Sequence, residues 1–294
     1  MYKGFKAIGT FFKMEDTFRY ILTLDAVKRA HPESSWVRIT TVTMIAKFER
    51  DINLTAFRQN FRPLKIRTKG SAFSGFEWDM KKTTFYNQVT IFTRDQYSNK
   101  SIKLFPNGSV QVAGCSDLLD CQRVAREINC IVGHVVPSEV PNRLLPETIS
   151  VKMINTNFSL NSFVNLTKVI QAFSQATIPS PDPHAAPGAF LVTFDPDRYS
   201  AVKVKFCPAP GMKRVTASVF STGKIIVTGA QTLKEIALAY KIINQVLSPP
   251  FVRLGASEKK DTFNTILGHP FSEWVPKLQE KGLVPWIPDF SLGH

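Results

Sequence analysis

The sequence predicts an α+β fold made of two copies of one unit, each an antiparallel sheet with helices against a single face. Three observations predict it. First, Phe105-Pro-Asn-Gly108-Ser-Val-Gln-Val-Ala-Gly114-Cys115 lines up without a gap on Phe220-Ser-Thr-Gly223-Lys-Ile-Ile-Val-Thr-Gly229-Ala230, at an offset of 115 residues. Second, the segments that follow share apolar positions: Leu118, Cys121, Ala125, Ile128 and Val132 match Leu233, Ile236, Tyr240, Ile243 and Leu247. They step by three and four, as one helix face does. Third, Ile52-Asn53-Leu54-Thr55 upstream matches Val164-Asn165-Leu166-Thr167 at an offset of 112. Blocks at nearly one offset mean a duplicated unit of about 110 residues, too long for a solenoid repeat.

Each unit reads as strand, helix, strands and a long amphipathic helix. Ile102 and Leu104 alternate with Ser101, Lys103 and Phe105, and Val110 and Val112 alternate with Gln111 and Ala113. This is the period of two expected of strands with one buried face. Asn107-Gly108 signals a tight primed hairpin turn with both residues at positive φ, and Thr222-Gly223 takes the same place in the second unit. Gly114 and Gly229 are expected to end the second strand of each hairpin, and Ser116 and Thr232 to cap the helices that follow. Thr232 has Glu235 for a full capping box, whereas Ser116 has Leu119 at that position. The helices should run to about Val132 and Leu247, with Gly133 and Pro249 as stops.

An earlier hairpin precedes this one. In the second unit Val202, Val204 and Phe206 alternate with Ala201, Lys203 and Lys205 before the turn at 208–211. In the first, Phe85 to Thr93 reads as the strand and Asp95 to Lys100 as the polar turn. The helices must cover the apolar face of this sheet. Phe105, Gln111, Lys203, Phe220 and Thr228 fall on the other face. An antiparallel sheet can leave one face open, and one bearing Phe and Lys invites a partner.

Composition fits a nucleic-acid ligand. Of 294 residues 44% are apolar and 20% charged, a globular balance. Lys and Arg outnumber Asp and Glu by 37 to 23, a net charge of +14 that suits a polyanion. No run approaches the roughly 18 apolar residues of a spanning helix, and residues 1–13 hold no secretory run, so an intracellular place is expected. Cys115, Cys121, Cys130 and Cys207 form no CxxC pair and read as reduced core thiols.

Phe220-x-x-Gly223-Lys-Ile-Ile-Val-Thr-Gly229-Ala230 resembles the signature of the TATA-box-binding protein (TBP) family, and 105–115 has the same frame. The likeness covers about Trp36 to Leu247. It implies a pseudo-symmetric saddle: a curved antiparallel sheet from two repeats, its concave face on the DNA minor groove and its helices on the convex face. It implies domains at 35–136 and 147–249, with extensions at 1–34 and 250–294. It also implies a function: a sequence-specific transcription initiation factor, not an enzyme, acting as a monomer on promoter duplex DNA. No cofactor, metal or membrane is implied. TFIIB-like and other general factors would meet the helices, in the nucleus or, for a viral protein, in the host nucleus or viral factory. The extensions resemble decorations on proteins of large DNA viruses.

The family inserts two pairs of phenylalanines between base steps, a mode of binding of which it is itself the standing example. By resemblance the second member of each pair is Phe105 and Phe220, and the first is Phe85 and Tyr199. Core packing is the competing reading, and for Phe85 and Tyr199 the two weigh about equally. Groove-facing positions are Lys103, Gln111, Ala113, Ser218, Ile226 and Thr228; Lys203, Lys205 and Lys224 could meet phosphates or form a solvated rim. The family also reads central base pairs with an Asn in the first strand of each repeat; the approximate counterparts here are Arg38 and Ser150, and neither takes that role.

The basic, aromatic insertion from Phe61 to Trp78 is expected as a loop near DNA, residues 18–29 as a helix, and the C-terminal tail as packing on the helices. Nucleotide-binding, zinc-protease and serine-hydrolase motifs are absent from the sequence. Two other classes remain: a DNA-repair accessory, which would prefer damaged or flipped bases, and a protein-only scaffold, which would show no salt-sensitive DNA binding.

Overall fold

The computed structural model describes residues 14–67, 75–81, 85–178, 184, 186–248, 250, 252–257, 265–266 and 269–286. The chain forms two compact units, one spanning 40–153 and the other built from the stretch ending at Ile39 together with 154–294. Helix α1 (Met14–Ala30) belongs to the second.

The first unit contains β1 (Arg38–Lys47), α2 (Leu54–Asn60), β2 (Leu64–Arg67), β3 (Gly75–Met80), β4 (Val89–Arg94), β5 (Asn99–Leu104), β6 (Ser109–Cys115) and α3 (Leu118–Val135). Its strands pair antiparallel in the order β2-β3-β4-β5-β6-β1. The second contains β7 (Ser150–Ser159), β8 (Ser162–Val164), α4 (Leu166–Gln175), β9 (Leu191–Asp195), β10 (Tyr199–Phe206), β11 (Val215–Phe220), β12 (Lys224–Ala230) and α5 (Leu233–Val246). Here the order is β7-β12-β11-β10-β9, again antiparallel. β13 (Arg253–Ala256) pairs with β8, and β14 (Thr265–Ile266) with β15 (His269–Pro270), ahead of α6 (Phe271–Glu280). Among the described residues no helix is long and apolar enough to cross a membrane.

Alternation places the core as expected. Ile102, Leu104, Val110 and Val112 are fully buried in the first unit, and Val202, Val204, Val219 and Ile225 in the second. The upstream repeat turns out to be a helix cap. Asn53 Oδ1 accepts from the Ala56 N–H at 2.9 Å, and Asn165 Oδ1 from the Lys168 N–H at 3.2 Å. A cap of this kind satisfies one of the free donors at a helix start.

Several expectations need correction. The β5–β6 turn is not a primed one: only Gly108 has positive φ, and Gly108 N–H bonds the Phe105 carbonyl at 3.1 Å while Phe105 N–H bonds Ser109. This is a type I turn closed by a glycine bulge, which suits Pro106 at its first central position. Gly223 repeats it at φ 76°, where a Cβ would stand 2.0 Å from the Ser162 carbonyl oxygen. Gly114 does not end β6; with φ 100° it sits in a bulge where the β1–β6 register slips between Val42 and Thr43. Asp117, not Ser116, caps α3, and the helix passes through Gly133 to Val135 because Ile131, Val132 and Val135 are buried. That burial outweighs the roughly 1 kcal/mol a helical glycine costs. Cys115 and Cys121 are buried, but Cys130 and Cys207 are exposed, because they fall on the solvent side of α3 and just past β10.

The described residues of the insertion at 61–78, which exclude 68–74, do not read as a loop. They supply β2 and β3, which continue the pairing outward from β4, with Trp78 opposite Thr93 and Leu64 opposite Trp78. The alternating Leu64, Ile66, Phe76 and Trp78 suit a strand pair better than a loop. Phe85 lies outside β4, which begins at Val89.

A buried carboxylate recurs at the start of each second helix. Asp120 Oδ2 accepts from Ser116 N–H and Ser98 Oγ–H, both at 2.8 Å. Glu235, its counterpart 115 residues on, accepts from Gln231 N–H at 2.6 Å and Lys213 N–H at 2.9 Å. Each carboxylate thereby ties the helix start to the turn of the preceding hairpin. In the first unit Lys100 completes the tie: its buried ammonium lies 2.7 Å from Asp95 and 3.2 Å from Asp120. Burial alone would raise the Asp95 pKa, but the Lys100 ammonium and the Ser98 and Tyr97 amides outweigh it and hold the carboxyl below its usual range.

The N-terminal segment packs on α5, and α6 packs in turn on α1. Tyr240 O–H donates to the Ser35 carbonyl at 2.7 Å, Ser34 Oγ–H to Asn244 Oδ1 at 2.6 Å, and Trp274 of α6 stacks on Phe18 of α1.

Asp120→Ala should destabilise the protein by about 3–5 kcal/mol, because it leaves Lys100 buried beside one carboxylate. Urea unfolding measures it, and a loss under about 1 kcal/mol would refute the tie. Because the Asp95 pKa is depressed in the folded state, its contribution is present above the ordinary carboxylate range. It should be lost as pH falls through the lower folded value.

Candidate nucleic-acid interface

Strand register sets the expected site residues in cross-strand rows. In the second unit Lys203 stands opposite Ser218, Ser218 opposite Ile226, and Ile226 opposite Asn157. In the first, Thr90 stands opposite Lys103, Lys103 opposite Gln111, and Gln111 opposite Ile45. Residues level across a sheet point to one face. The intervening residues, among them Val204, Ala217, Val227 and Ile102, Val112, Met44, are the buried ones. These rows therefore lie on the face turned away from the core. A neighbouring row holds Lys205, Thr216 and Thr228 in the second unit, and Ser101, Ala113 and Thr43 in the first.

Lys203, Lys205 and Lys224 are exposed; Lys103, Gln111, Ala113, Ser218, Ile226 and Thr228 are half-buried. The aromatics differ between units. Tyr199 and Phe220 meet edge to face, with ring centroids 5.7 Å apart, and the Lys203 ammonium lies 4.5 Å from the Tyr199 ring centroid. This geometry uses the negative ring face for the cation and offsets the two rings. In the first unit Phe105 is half-buried at the end of β5, while Phe85 is 69% exposed in the loop before β4.

Two residues escaped the sequence reading. Asn155 and Asn157 alternate with buried Ile154, Thr156 and Phe158 in β7, so they share the outer face. Ser150, the approximate counterpart taken from ungapped alignment, lies at the strand's first residue, and Arg38 likewise opens β1. The signal that would have found the asparagines is the period-two pattern of 154–158 itself.

The face and the duplication define a class: an α+β protein of two sheet repeats, each presenting aromatics, amides and lysines on the side away from its helices. Residues 187–249 match the family model described as transcription factor TFIID, or TATA-binding protein. A "TATA-box-binding protein-like" protein of Acanthamoeba polyphaga mimivirus is 29% identical over 182 residues, covering 56% of this chain and 48% of that one. The chain thus spans about half the length of the curated relative it matches. Methanococcus jannaschii TBP superposes with a TM-score of 0.46 at 13% identity, over 72% of this chain and 98% of that one. The chain is thus similar to TBP-family proteins in its second repeat and to a viral TBP-like relative.

Phe220→Ala should cost well under the roughly 3–5 kcal/mol of a truncated core phenylalanine, because the ring is only half-buried. The same holds for Phe105→Ala. Thermal melts decide it; core-sized losses in both variants would place these rings in the packing and not at a surface.

Proposed function

We propose that the chain is a sequence-specific, minor-groove DNA-binding initiation factor of the TBP type, acting as a monomer that kinks DNA with aromatic wedges. The observation that carries the reading is the pair of rows, Asn157–Ile226–Ser218–Lys203 and Ile45–Gln111–Lys103–Thr90. Each ranges from an inner strand toward a lysine, Lys203 or Lys103, on the side away from the apolar core, and Thr90 closes the first row as a buried residue. The relatives' names point to the same ligand, and the basic balance of the chain supports it.

In this reading Tyr199 with Phe220, and Phe85 with Phe105, part base steps at the two ends of the site. Unstacking costs a few kcal/mol per step, offset by the protein surface that bent DNA reaches. Lys203, Lys205 and Lys224 meet phosphates. Asn155 and Asn157 are the central amides, and β1 carries no asparagine to match them. General factors of the TFIIB kind meet the helices, and the mimivirus relative supports a place in the transcription apparatus of a large DNA virus.

The preferred site should not be plain TATA. Gln111 occupies the row position that Ile226 holds in the second unit. An amide carbonyl can accept from the guanine N2 amine, the donor that marks G·C in the minor groove, whereas Ile226 and Thr228 disfavour it. G·C should therefore be tolerated under the first unit and penalised under the second. Binding to a TATA duplex and to duplexes with G·C in each half, at fixed salt, tests this. Gln111→Val should abolish the tolerance. Equal G·C penalties in both halves, with TATA best, would reject it. Lys203→Ala and Lys205→Ala should each lower the slope of log K against log salt by about 1; a slope near zero in the unsubstituted chain favours a protein-only scaffold.

A further inference from the structure

The first aromatic of each expected pair is held in a different way. Tyr199 is part of β10, with its ring against Phe220. Phe85 belongs to no strand. It precedes a turn at Tyr86–Asn87, and its neighbour Tyr86 is 84% exposed. What reaches this loop is Arg58, in the last turn of α2. Its Nη2 stands 2.8 Å from the Tyr86 carbonyl oxygen, 3.2 Å from that of Gln88 and 3.4 Å from that of Phe85. One guanidinium nitrogen thus gathers three backbone acceptors of four consecutive residues. At the 112-residue offset marked by the Asn53 and Asn165 caps, Arg58 corresponds to Ile170 of α4. The second unit has no such donor at that place, and there the aromatic is carried by a strand.

We propose that Arg58 is a positioning residue for the wedge of the first unit: it fixes the 85–88 loop so that Phe85 is presented beside Phe105. The proposal rests on the wedge reading given above and adds to it how one of the four aromatics is aimed. A loop with two exposed aromatics would otherwise sample many orientations and lose entropy on meeting a base step. Hydrogen bonds from a charged donor to the loop carbonyls remove that freedom in advance. α2 is itself anchored, through its Asn53 cap and the buried Leu54 and Phe57, so the guanidinium is held by a packed element. All three contacts come from Nη2 at the end of the long arginine side chain, and a lysine ammonium keeps charge and donors but on a shorter stem, so it should hold the loop only in part.

The test uses the full chain and two readouts. Chymotrypsin cleavage after Phe85 or Tyr86 in the free protein reports on the loop. It should accelerate about ten-fold or more in Arg58→Ala, as expected for loss of charge-assisted hydrogen bonds, and less in Arg58→Lys. Unstacking is then followed by 2-aminopurine fluorescence at each kinked step of a duplex selected from random sequence, with the steps assigned by loss of signal in Phe105→Ala and Phe220→Ala. Arg58→Ala should abolish most of the enhancement at the Phe105 step, leave the Phe220 step at its normal value, and match Phe85→Ala. Unchanged cleavage overturns the tether. Faster cleavage with unstacking intact at the Phe105 step overturns the positioning role alone. Equal losses at both steps mark a general folding effect and also overturn it. Absence of unstacking at either step in the unsubstituted chain overturns the wedge reading, and this proposal with it.

Discussion

The buried carboxylate at the third position of each second helix fixes the geometry on which the exposed face depends. Asp120 and Glu235 each accept from the backbone where the last strand leaves the sheet and from the turn of the hairpin before it. A carboxylate taken out of water is tolerated only when its oxygens are satisfied. The hairpin turn and the helix start must therefore stay in one arrangement. That arrangement keeps the helix on one side of β5, β6 or β11, β12, and so leaves Lys103 and Gln111, or Ser218 and Ile226, on the other. The first unit adds the Lys100 ammonium between Asp95 and Asp120, while the second reaches the same result with backbone N–H groups.

A shared scaffold carries unlike surfaces. Gln111 replaces the aliphatic of the second repeat, Ile45 stands where the second repeat has Asn157, and a loop held by Arg58 stands where the second repeat has a strand. None of these exchanges touches the core, because period-two alternation separates the two faces. Duplication therefore fixes the fold, and divergence can act on the outward residues alone. The helices diverge too. α5 is buried nearly all round, under α1 and the Ser34–Ser35 segment, whereas α3 keeps Leu119, Arg126 and His134 at its surface.

Much of this was legible in the sequence because it follows from local rules. Alternation in 101–105 and 202–206 gives faces, the three-and-four spacing after Leu118 and Leu233 gives the helices, and Thr232 with Glu235 gives a capping box that is present as read. What was missed depends on non-local register. Pairing with β12 places Asn157 opposite Ile226, in the outward row, whereas Ser150 only opens β7. The β2–β3 pair reads as a loop in the sequence because its strands are short and pair only with each other and with β4, at the sheet edge. The Arg58 contact joins a helix to a loop 27 to 30 residues later, a distance at which no periodicity speaks.

The account stands or falls on which face meets DNA. Photo-cross-linking with benzoylphenylalanine in place of Gln111, of Ile226, or of Arg126 on α3 addresses this most directly, using a duplex selected from random sequence. The account predicts cross-links to DNA from 111 and 226 that disappear with unlabelled competitor, and none from 126. Cross-links from 126 with none from 111 or 226 would place the DNA on the helical side and contradict it.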